Sequence, residues 1–364
     1  MMPLWWLNLR GSLRLQTRPL LGIDVGSSSI KLVQLAKANN RTPHAYRIEY
    51  CAIEPLAPAE NKEIKETNLD TVTVAITRAL AGMRRPPKKA AVSIPGNKTI
   101  TKVISMPSGL SDDEMEGQIK AQADLYIPFP LEEVNLDFTV LGPSATSDEV
   151  DVLLAAARLE EVGNYFAPLQ LSDLELAIVD VEPFALHNAC EDVMGLIEPG
   201  EAAAIVDIGT HDSRLLVVKD GRLVFNRDFS FAADQLIEEV MARYQMTSSV
   251  ASHNVMAGIL PGDFLVELAI PFQEAMAAQI TRSLQFYYSS SNATSVDKVL
   301  LSGGMACLPQ FAVVVQRQTG ILTSIANPFL HMEVGASADR NLISQSGPAF
   351  GIATGLALRN FDPS

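Results

Sequence analysis

The sequence has little of what disulfide-bonded, metal-binding or membrane-spanning proteins need. Its three cysteines lie far apart in apolar surroundings, so they predict no disulfide framework and fit a reducing compartment. The five histidines are scattered, and none forms a cysteine–histidine cluster with metal-site spacing. No apolar run reaches the roughly 18–20 residues of a bilayer span. The sequence therefore predicts neither a secreted disulfide scaffold, nor a zinc module, nor a membrane-spanning helix.

Positive charge is also scarce. The 28 Lys and Arg residues face 42 Asp and Glu residues, which gives a net charge of -14. Nonspecific nucleic-acid binding is therefore disfavoured, and we expect no nucleic-acid partner. With 48% hydrophobic and 19% charged residues over 364 positions, the chain is long enough and apolar enough for two or more cores.

The first 18 residues combine tryptophans with arginines as the only charged side chains. One interpretation is a weak interfacial anchor, with Trp5 and Trp6 at headgroup level and the arginines on anionic lipid. The other is a tail without a structural role. We favour the tail, because Pro3 and Gly11 interrupt any long helix.

One strand–turn–strand pattern occurs twice, as LGIDVGSSSIKLVQL at 21–35 and as IVDIGTHDSRLLV at 205–217. The matched pairs are Asp24 with Asp207, Gly26 with Gly209, Ser27 with Thr210, and Lys31 with Arg214. Glycine lets backbone approach a ligand closely, and successive N–H and hydroxyl groups in such a turn bind anions. An adjacent Asp fits phosphate only if a hard cation such as Mg²⁺ lies between them. Two ordinary hairpins are the alternative interpretation, but the repeat in register favours one shared ligand.

A third candidate site follows a short buried strand, at Ser302, Gly303, Gly304 and Met305. Its glycines would let a flat ligand such as a purine or ribose lie against the backbone, although a routine strand-to-helix turn explains them equally well. Between the two repeats, Ser111 and Glu114 match a capping box that starts a helix. A β-α-β-β-α-β order over roughly 100–181 predicts a small α+β insertion.

Four motifs stand in one order: GIDVGSSSIK, IVDIGTHDS, LLSGGMACLP and GPAFGIATGLALR. In this order the sequence resembles the actin-like ATPase superfamily. With the block SDDEMEGQIKAQADLYIPFPLEEV and the segment DVEPFAL, it resembles more closely the PilM family of type IV pilus assembly, relatives of FtsA. The resemblance covers nearly the whole chain, from about Arg18 to Asp362.

The resemblance implies an α/β fold of the actin, hexokinase and heat-shock chaperone ATPase class, with two lobes and an FtsA-like inserted α+β subdomain. The expected units are a tail at 1–18, a first lobe at 19–105, the insertion at 106–181, a return helix at 182–197, and a second lobe at 198–364 with a small subdomain at about 226–295.

The resemblance also implies ATP and Mg²⁺ in the cleft. Carried over by motif, Asp24 and Asp207 would hold the metal and serve any catalysis. The remaining cofactor-binding positions would be Gly26, Ser27, Ser28, Lys31, Gly209, Thr210, Gly303, Gly304 and Met305. The second lobe departs from the family pattern, with Ala232 and Ala233 in place of two glycines and Val255 in place of a lysine. A lost charge-assisted hydrogen bond costs on the order of 1.5–3 kcal/mol. We therefore expect weak ATP binding and, at most, very slow hydrolysis.

The family role that the resemblance implies is a scaffold under the inner membrane that binds the cytoplasmic N-terminal segment of PilN. Membrane contact would be indirect or through the tail, and the sequence leaves self-association open. By family analogy the segment docks in a groove between the first lobe and the inserted subdomain. Tyr126, Ile127 and Phe129 are the candidate groove residues, with a packed subdomain linker as the alternative. A working ATPase that drives pilus assembly is the competing hypothesis. A sugar or acyl kinase is disfavoured, since no acid lies beside a glycine-rich substrate loop.

Overall fold

The computed structural model describes residues 19–38, 45–56, 69–144, 148–290 and 295–362. The predicted tail at 1–18 lies outside these residues. The described chain contains three sheets of six, five and three strands. Among the described helices, none is long and apolar enough to cross a membrane.

The first sheet has the strand order β14-β3-β2-β1-β4-β8. Its strands are β1 (Leu20–Val25), β2 (Ser29–Lys37), β3 (Tyr46–Pro55), β4 (Lys89–Ile94), β8 (Glu175–Val181) and β14 (Glu333–Val334). The central strands β1 and β4 are parallel and almost wholly buried, because helices cover both faces. Two of these helices are α1 (Leu69–Ala81) and α3 (Leu159–Leu171).

The second sheet has the order β11-β10-β9-β12-β13. Its strands are β9 (Ala202–Ile208), β10 (Ser213–Lys219), β11 (Arg222–Phe229), β12 (Lys298–Gly303) and β13 (Leu322–Ile325). The helices of this lobe are α5 (Ala233–Tyr244), α6 (Ser248–Ala257), α7 (Ile270–Tyr288) and α8 (Phe311–Thr319). A five-residue π-helical segment, Leu265–Ala269, runs directly into α7, and Pro271 lies in the first turn of α7 at this change of helix type.

The space between the two sheets is filled by α4 (Glu182–Asn188) and α10 (Gly351–Leu358), with α9 (Arg340–Ser346) preceding α10. The two filling helices pack at backbone contact distance. A Cβ at Gly355 would lie 1.7 Å from the carbonyl oxygen of Ala185, so only glycine permits this approach. The small residues of α10 therefore let the two lobes share one packed junction.

The third sheet, with order β5-β7-β6, forms the inserted subdomain together with α2 (Asp112–Ala121). Its strands are β5 (Thr99–Pro107), β6 (Val134–Pro143) and β7 (Glu149–Arg158). The predicted capping box is present: the Ser111 N–H donates to Glu114 Oε2 at 2.9 Å, and the Glu114 N–H donates to Ser111 Oγ at 3.4 Å.

Strand membership differs from the predicted insertion at both ends. The strand β5 begins at Thr99 and belongs to the small sheet, although the predicted boundary was residue 106. The strand β8 was predicted within the insertion, yet it pairs in parallel with β4 of the first sheet. Local sequence identifies both strands but not their partners, because strand pairing depends on long-range packing.

Candidate functional site

The two repeats form equivalent hairpins at the facing ends of the two large sheets. In the first, Asp24 of β1 pairs with Lys31 of β2; in the second, Asp207 of β9 pairs with Arg214 of β10. Each copy thus sets an acid beside a base across an antiparallel strand pair, with a glycine turn beyond it. The two copies of the sequence repeat therefore also share the same pairing register between their strands.

The two turns meet across the cleft. The hydroxyl oxygens of Ser28 and Thr210 are 2.6 Å apart, although 182 positions separate the two residues. Within the first turn, the N–H of Gly26 donates to the carbonyl of Ser29 at 3.1 Å. Ser27 and Ser28 are both exposed at the cleft surface. The structure therefore brings the serines of one loop against the threonine of the other.

A group of buried charges lies behind these loops. Lys31 Nζ donates to Asp24 Oδ2 at 2.9 Å, and both side chains are largely buried. Burial by itself lowers the pKa of the Lys31 amine, but the Asp24 carboxylate and two further acids raise it above its ordinary value. Burial raises the pKa of Asp207, against the opposing effect of Arg214. The desolvated site thus balances cations against carboxylates.

Arg214 makes contacts that its repeat partner Lys31 does not. Its Nε donates to Asp228 Oδ1 of β11 at 2.6 Å, and its Nη1 donates to Glu182 Oε2 at 2.9 Å. Glu182 is the first residue of α4 and directly follows β8 of the first sheet. The guanidinium therefore joins a strand of the second sheet to a helix that continues from the first.

Glu182 is a site residue that the sequence analysis missed. Burial raises the pKa of this carboxyl to about 7, with Arg214 opposing the shift and Asp24 adding to it. Tyr165 of α3 also lies close, since Glu182 and Asp24 add to the effect of burial in raising the pKa of its phenol. The available signal was an acid followed by Pro183 at a strand-to-helix junction, within DVEPFAL.

The predicted nucleoside side is packed by apolar side chains. Gly303 has φ 88°, and a Cβ there would lie 2.4 Å from the carbonyl oxygen of Ile208, so this glycine lets β12 lie against β9. A Cβ at Gly304 would meet the Met256 methyl at 3.1 Å. Met305 and Val255 are both buried in the second-lobe core. The side chains of Met256, Met305 and Val255 pack in the core. Among these residues, the backbone groups of the two glycines are therefore what a ligand could contact.

The N-terminus of α5 is bonded to the second loop. The N–H groups of Ala233 and Asp234 donate to the carbonyls of Gly209 and Thr210 at 3.0 and 2.9 Å. The N–H of Ala232, whose side chain is fully buried, donates to Gln235 Oε1 at 2.6 Å. These bonds use backbone donors that a helix start could otherwise offer to a phosphate.

The residues fit a phosphate chain with a hard cation better than they fit a nucleoside. Hydroxyls, loop N–H groups and two buried cations suit phosphate oxygens. Within the described residues, no group of three or more His, Cys, Asp or Glu side chains could hold a metal alone. If Mg²⁺ binds with a phosphate chain, Asp24 and Asp207 would be its carboxylate ligands, and phosphate oxygens and water would complete the coordination, as is usual for this ion.

The predicted partner groove lies on the inserted subdomain. A surface pocket of about 530 Å³ is lined by Asp124, Ile127, Pro128, Phe129, Pro130, Leu131 and Glu132. Ile127 is buried in the subdomain core and anchors the segment. Phe129 is 37% exposed, and the Arg158 guanidinium lies 5.6 Å from its ring centroid. The hydroxyl of Tyr126 donates to Gln122 Oε1 at 3.2 Å, so Phe129 is the more available apolar contact.

The two lobes, the shared junction and the paired loops define an actin-like protein. The family profile described as type IV pilus assembly protein PilM matches residues 22–361, so the chain belongs to the PilM family. It is similar to a solved PilM–PilN type IV pilus biogenesis complex, at 24% identity and TM-score 0.76, covering 94% of this chain and 99% of the other. It is also similar to the ethanolamine utilization protein EutJ from Carboxydothermus hydrogenoformans, at 14% identity and TM-score 0.53, with 95% and 91% covered.

Proposed function

We propose that this chain is an actin-like scaffold of the type IV pilus inner-membrane assembly complex and binds the cytoplasmic N-terminal segment of PilN. The observation that carries the proposal is membership of the PilM family over residues 22–361. The similar solved structure of a PilM–PilN complex supports PilN as the partner. The protein would act at the cytoplasmic face of the inner membrane.

The inserted subdomain is the proposed docking site for that segment. Its pocket combines a buried anchor, Ile127, with the exposed apolar side chain of Phe129. The prolines on either side of Phe129 restrict the backbone, so little conformational entropy is lost there on binding. Asp124 and Glu132 line the same pocket and would favour a basic peptide.

ATP with Mg²⁺ is the proposed second ligand, with a conformational rather than an energetic role. The buried charges around Asp24 and Asp207 and the hydroxyls of Ser28 and Thr210 support phosphate binding. The apolar packing around Gly304 supports weak binding of the nucleoside. Hydrolysis would be very slow, since Ala232, Ala233 and Val255 erode the nucleoside side of the cleft.

Fluorescence anisotropy with a labelled peptide of the PilN N-terminal segment from the same organism tests the docking site. Phe129→Ala should weaken binding by at least about tenfold, as expected for a central aromatic contact. Leu330→Ala, at a 65% exposed position of the second lobe, is the matched control and should bind like wild type. Equal loss in both variants, or binding unchanged by Phe129→Ala, would place the PilN segment elsewhere.

A further inference from the structure

The hairpin formed by β10 and β11 touches the candidate nucleotide site at one end. There Arg214 of β10 donates to Glu182 at 2.9 Å and to Asp228 of β11 at 2.6 Å. The side chains of Arg214 and Glu182 are only 12% and 14% exposed. A charged pair shielded to this degree has few alternative partners, so this end of the hairpin is firmly attached to α4.

The other end of the same hairpin touches the inserted subdomain. Arg222, next to the turn, donates from Nη2 to the carbonyl oxygen of Leu141 in β6 at 3.0 Å. Its Nη1 lies 3.4 Å from Asp151 Oδ2 in β7. One arginine of the second lobe thus contacts both strands on one side of the small sheet.

The middle of β11 also faces the insertion. Side chains at alternate positions share one face of a strand, so Asn226 and Asp228 point to the same side, while Arg222 lies beyond the irregularity in the pairing with β10. A Cβ at Gly96, in the turn that leads from β4 into β5, would lie 3.2 Å from Asn226 Nδ2. On the opposite face, Phe225 and Phe229 pack against the second-lobe core. Asn226 therefore faces the turn that leads into the inserted subdomain, and Arg222 contacts the subdomain itself.

The hairpin joins the two ends through continuous strand pairing. Its pairing runs from Arg214 with Asp228 to Lys219 with Arg222, with one irregularity between Val217 and Val218. This length corresponds to about 20 Å of strand. The strand β10 is buried and paired on both sides, so a shift at one end has no flexible segment in which to dissipate.

We propose that the β10–β11 hairpin couples the candidate nucleotide site to the inserted subdomain, with Arg214 and Arg222 as its two anchors. A polyphosphate in the cleft competes with Glu182 for the Arg214 guanidinium and so displaces the hairpin. Through Arg222, that displacement changes the packing of β6 and β7. Such coupling is reciprocal. The factor by which nucleotide changes the affinity for a partner on the inserted subdomain therefore equals the factor by which that partner changes the affinity for nucleotide. The nucleotide half of this inference rests on the proposed function.

Hydrogen–deuterium exchange of the full chain without ligand tests the coupling itself. Arg214→Gln should speed amide exchange in β6 and β7, which it does not touch, by about fivefold or more. Arg243→Gln is the matched control, since Arg243 bonds Asp263 at 2.7 Å within the second lobe. Unchanged exchange in β6 and β7 in a folded Arg214→Gln protein would overturn the proposal.

Arg222→Gln tests the coupling in the opposite direction, from the inserted subdomain towards α4. It still decides the question if Arg214→Gln fails to fold. Its side chain is 44% exposed, so the variant should fold, and exchange in α4, which is bonded to the other end of the hairpin, should rise. If the amides of α4 exchange at the wild-type rate, the hairpin does not couple the two regions and the proposal is wrong.

Exchange with and without Mg·ATP separates this proposal from the proposed function. Wild type should show a nucleotide-dependent change in β6 and β7, and Arg222→Gln should lose that change while binding nucleotide with affinity close to wild type. A change that persists in Arg222→Gln would overturn the coupling. Absence of any nucleotide binding by wild type would refute the nucleotide role, while the ligand-free comparison would still decide the coupling.

Discussion

The hydroxyl oxygens of Ser28 and Thr210 lie 2.6 Å apart, one on each copy of the repeated hairpin. This contact lies where the two loops carry the hydroxyls that we propose bind phosphate. A polyphosphate that binds both loops must separate the two hydroxyls and replace their mutual hydrogen bond with bonds to its own oxygens. Nucleotide binding and the distance between the loops are therefore linked.

Calorimetric titration with Mg·ATP should give weak binding, with a Kd above the low-micromolar range. Thr210→Val removes a hydroxyl that can bond phosphate and should weaken binding by about tenfold or more, the effect of one hydrogen bond to a charged group. Thr77→Val, on the exposed face of α1, is the control and should titrate like wild type. Low-micromolar binding by wild type would contradict the idea of an eroded nucleoside side.

Glu182 should make the protein less stable as the pH rises from about 4.5 to about 7. Its pKa in the folded chain is about 7, because burial raises it from an ordinary 4.5. In this window the folded state holds a proton that the unfolded state has released, so ionising Glu182 costs folding free energy. The cost is complete above the folded pKa, and its upper bound is about 3 kcal/mol. Below pH 4.5 both states are protonated and the effect disappears.

Urea unfolding of wild type and Glu182→Gln between pH 4 and pH 8 measures this contribution. The glutamine amide does not titrate. The unfolding free energy of wild type should therefore fall relative to that of Glu182→Gln as the pH rises. Other buried acids, such as Asp180 and Asp207, change stability in the same direction but are common to both proteins. A constant difference across this range would mean that folding does not raise the pKa of Glu182.

The sequence predicted the repeated loops and their partner residues because short glycine turns and buried strands leave local patterns. It also predicted the helix start at Ser111, which depends on bonds between residues three positions apart. It missed Glu182, because the role of this residue depends on Arg214, 32 positions away. The sheet memberships of β5 and β8 were missed for the same reason, since strand pairing is a long-range property.

The close packing of α10 against α4 gives a stability prediction with an internal control. Alanine at Gly355 would place its Cβ 1.7 Å from the Ala185 carbonyl oxygen, where no flexible side chain can move aside. Gly355→Ala should therefore cost at least about 3 kcal/mol, at the upper end of overpacking effects. Gly117 lies within α2 with nothing within 4 Å of its added Cβ, so Gly117→Ala should stabilise the protein by about 0.5–1 kcal/mol through helix propensity. Thermal and urea unfolding of both variants measure the two effects. Similar small changes in both would mean that α10 and α4 are further apart than described, and that the junction between the lobes does not depend on glycine.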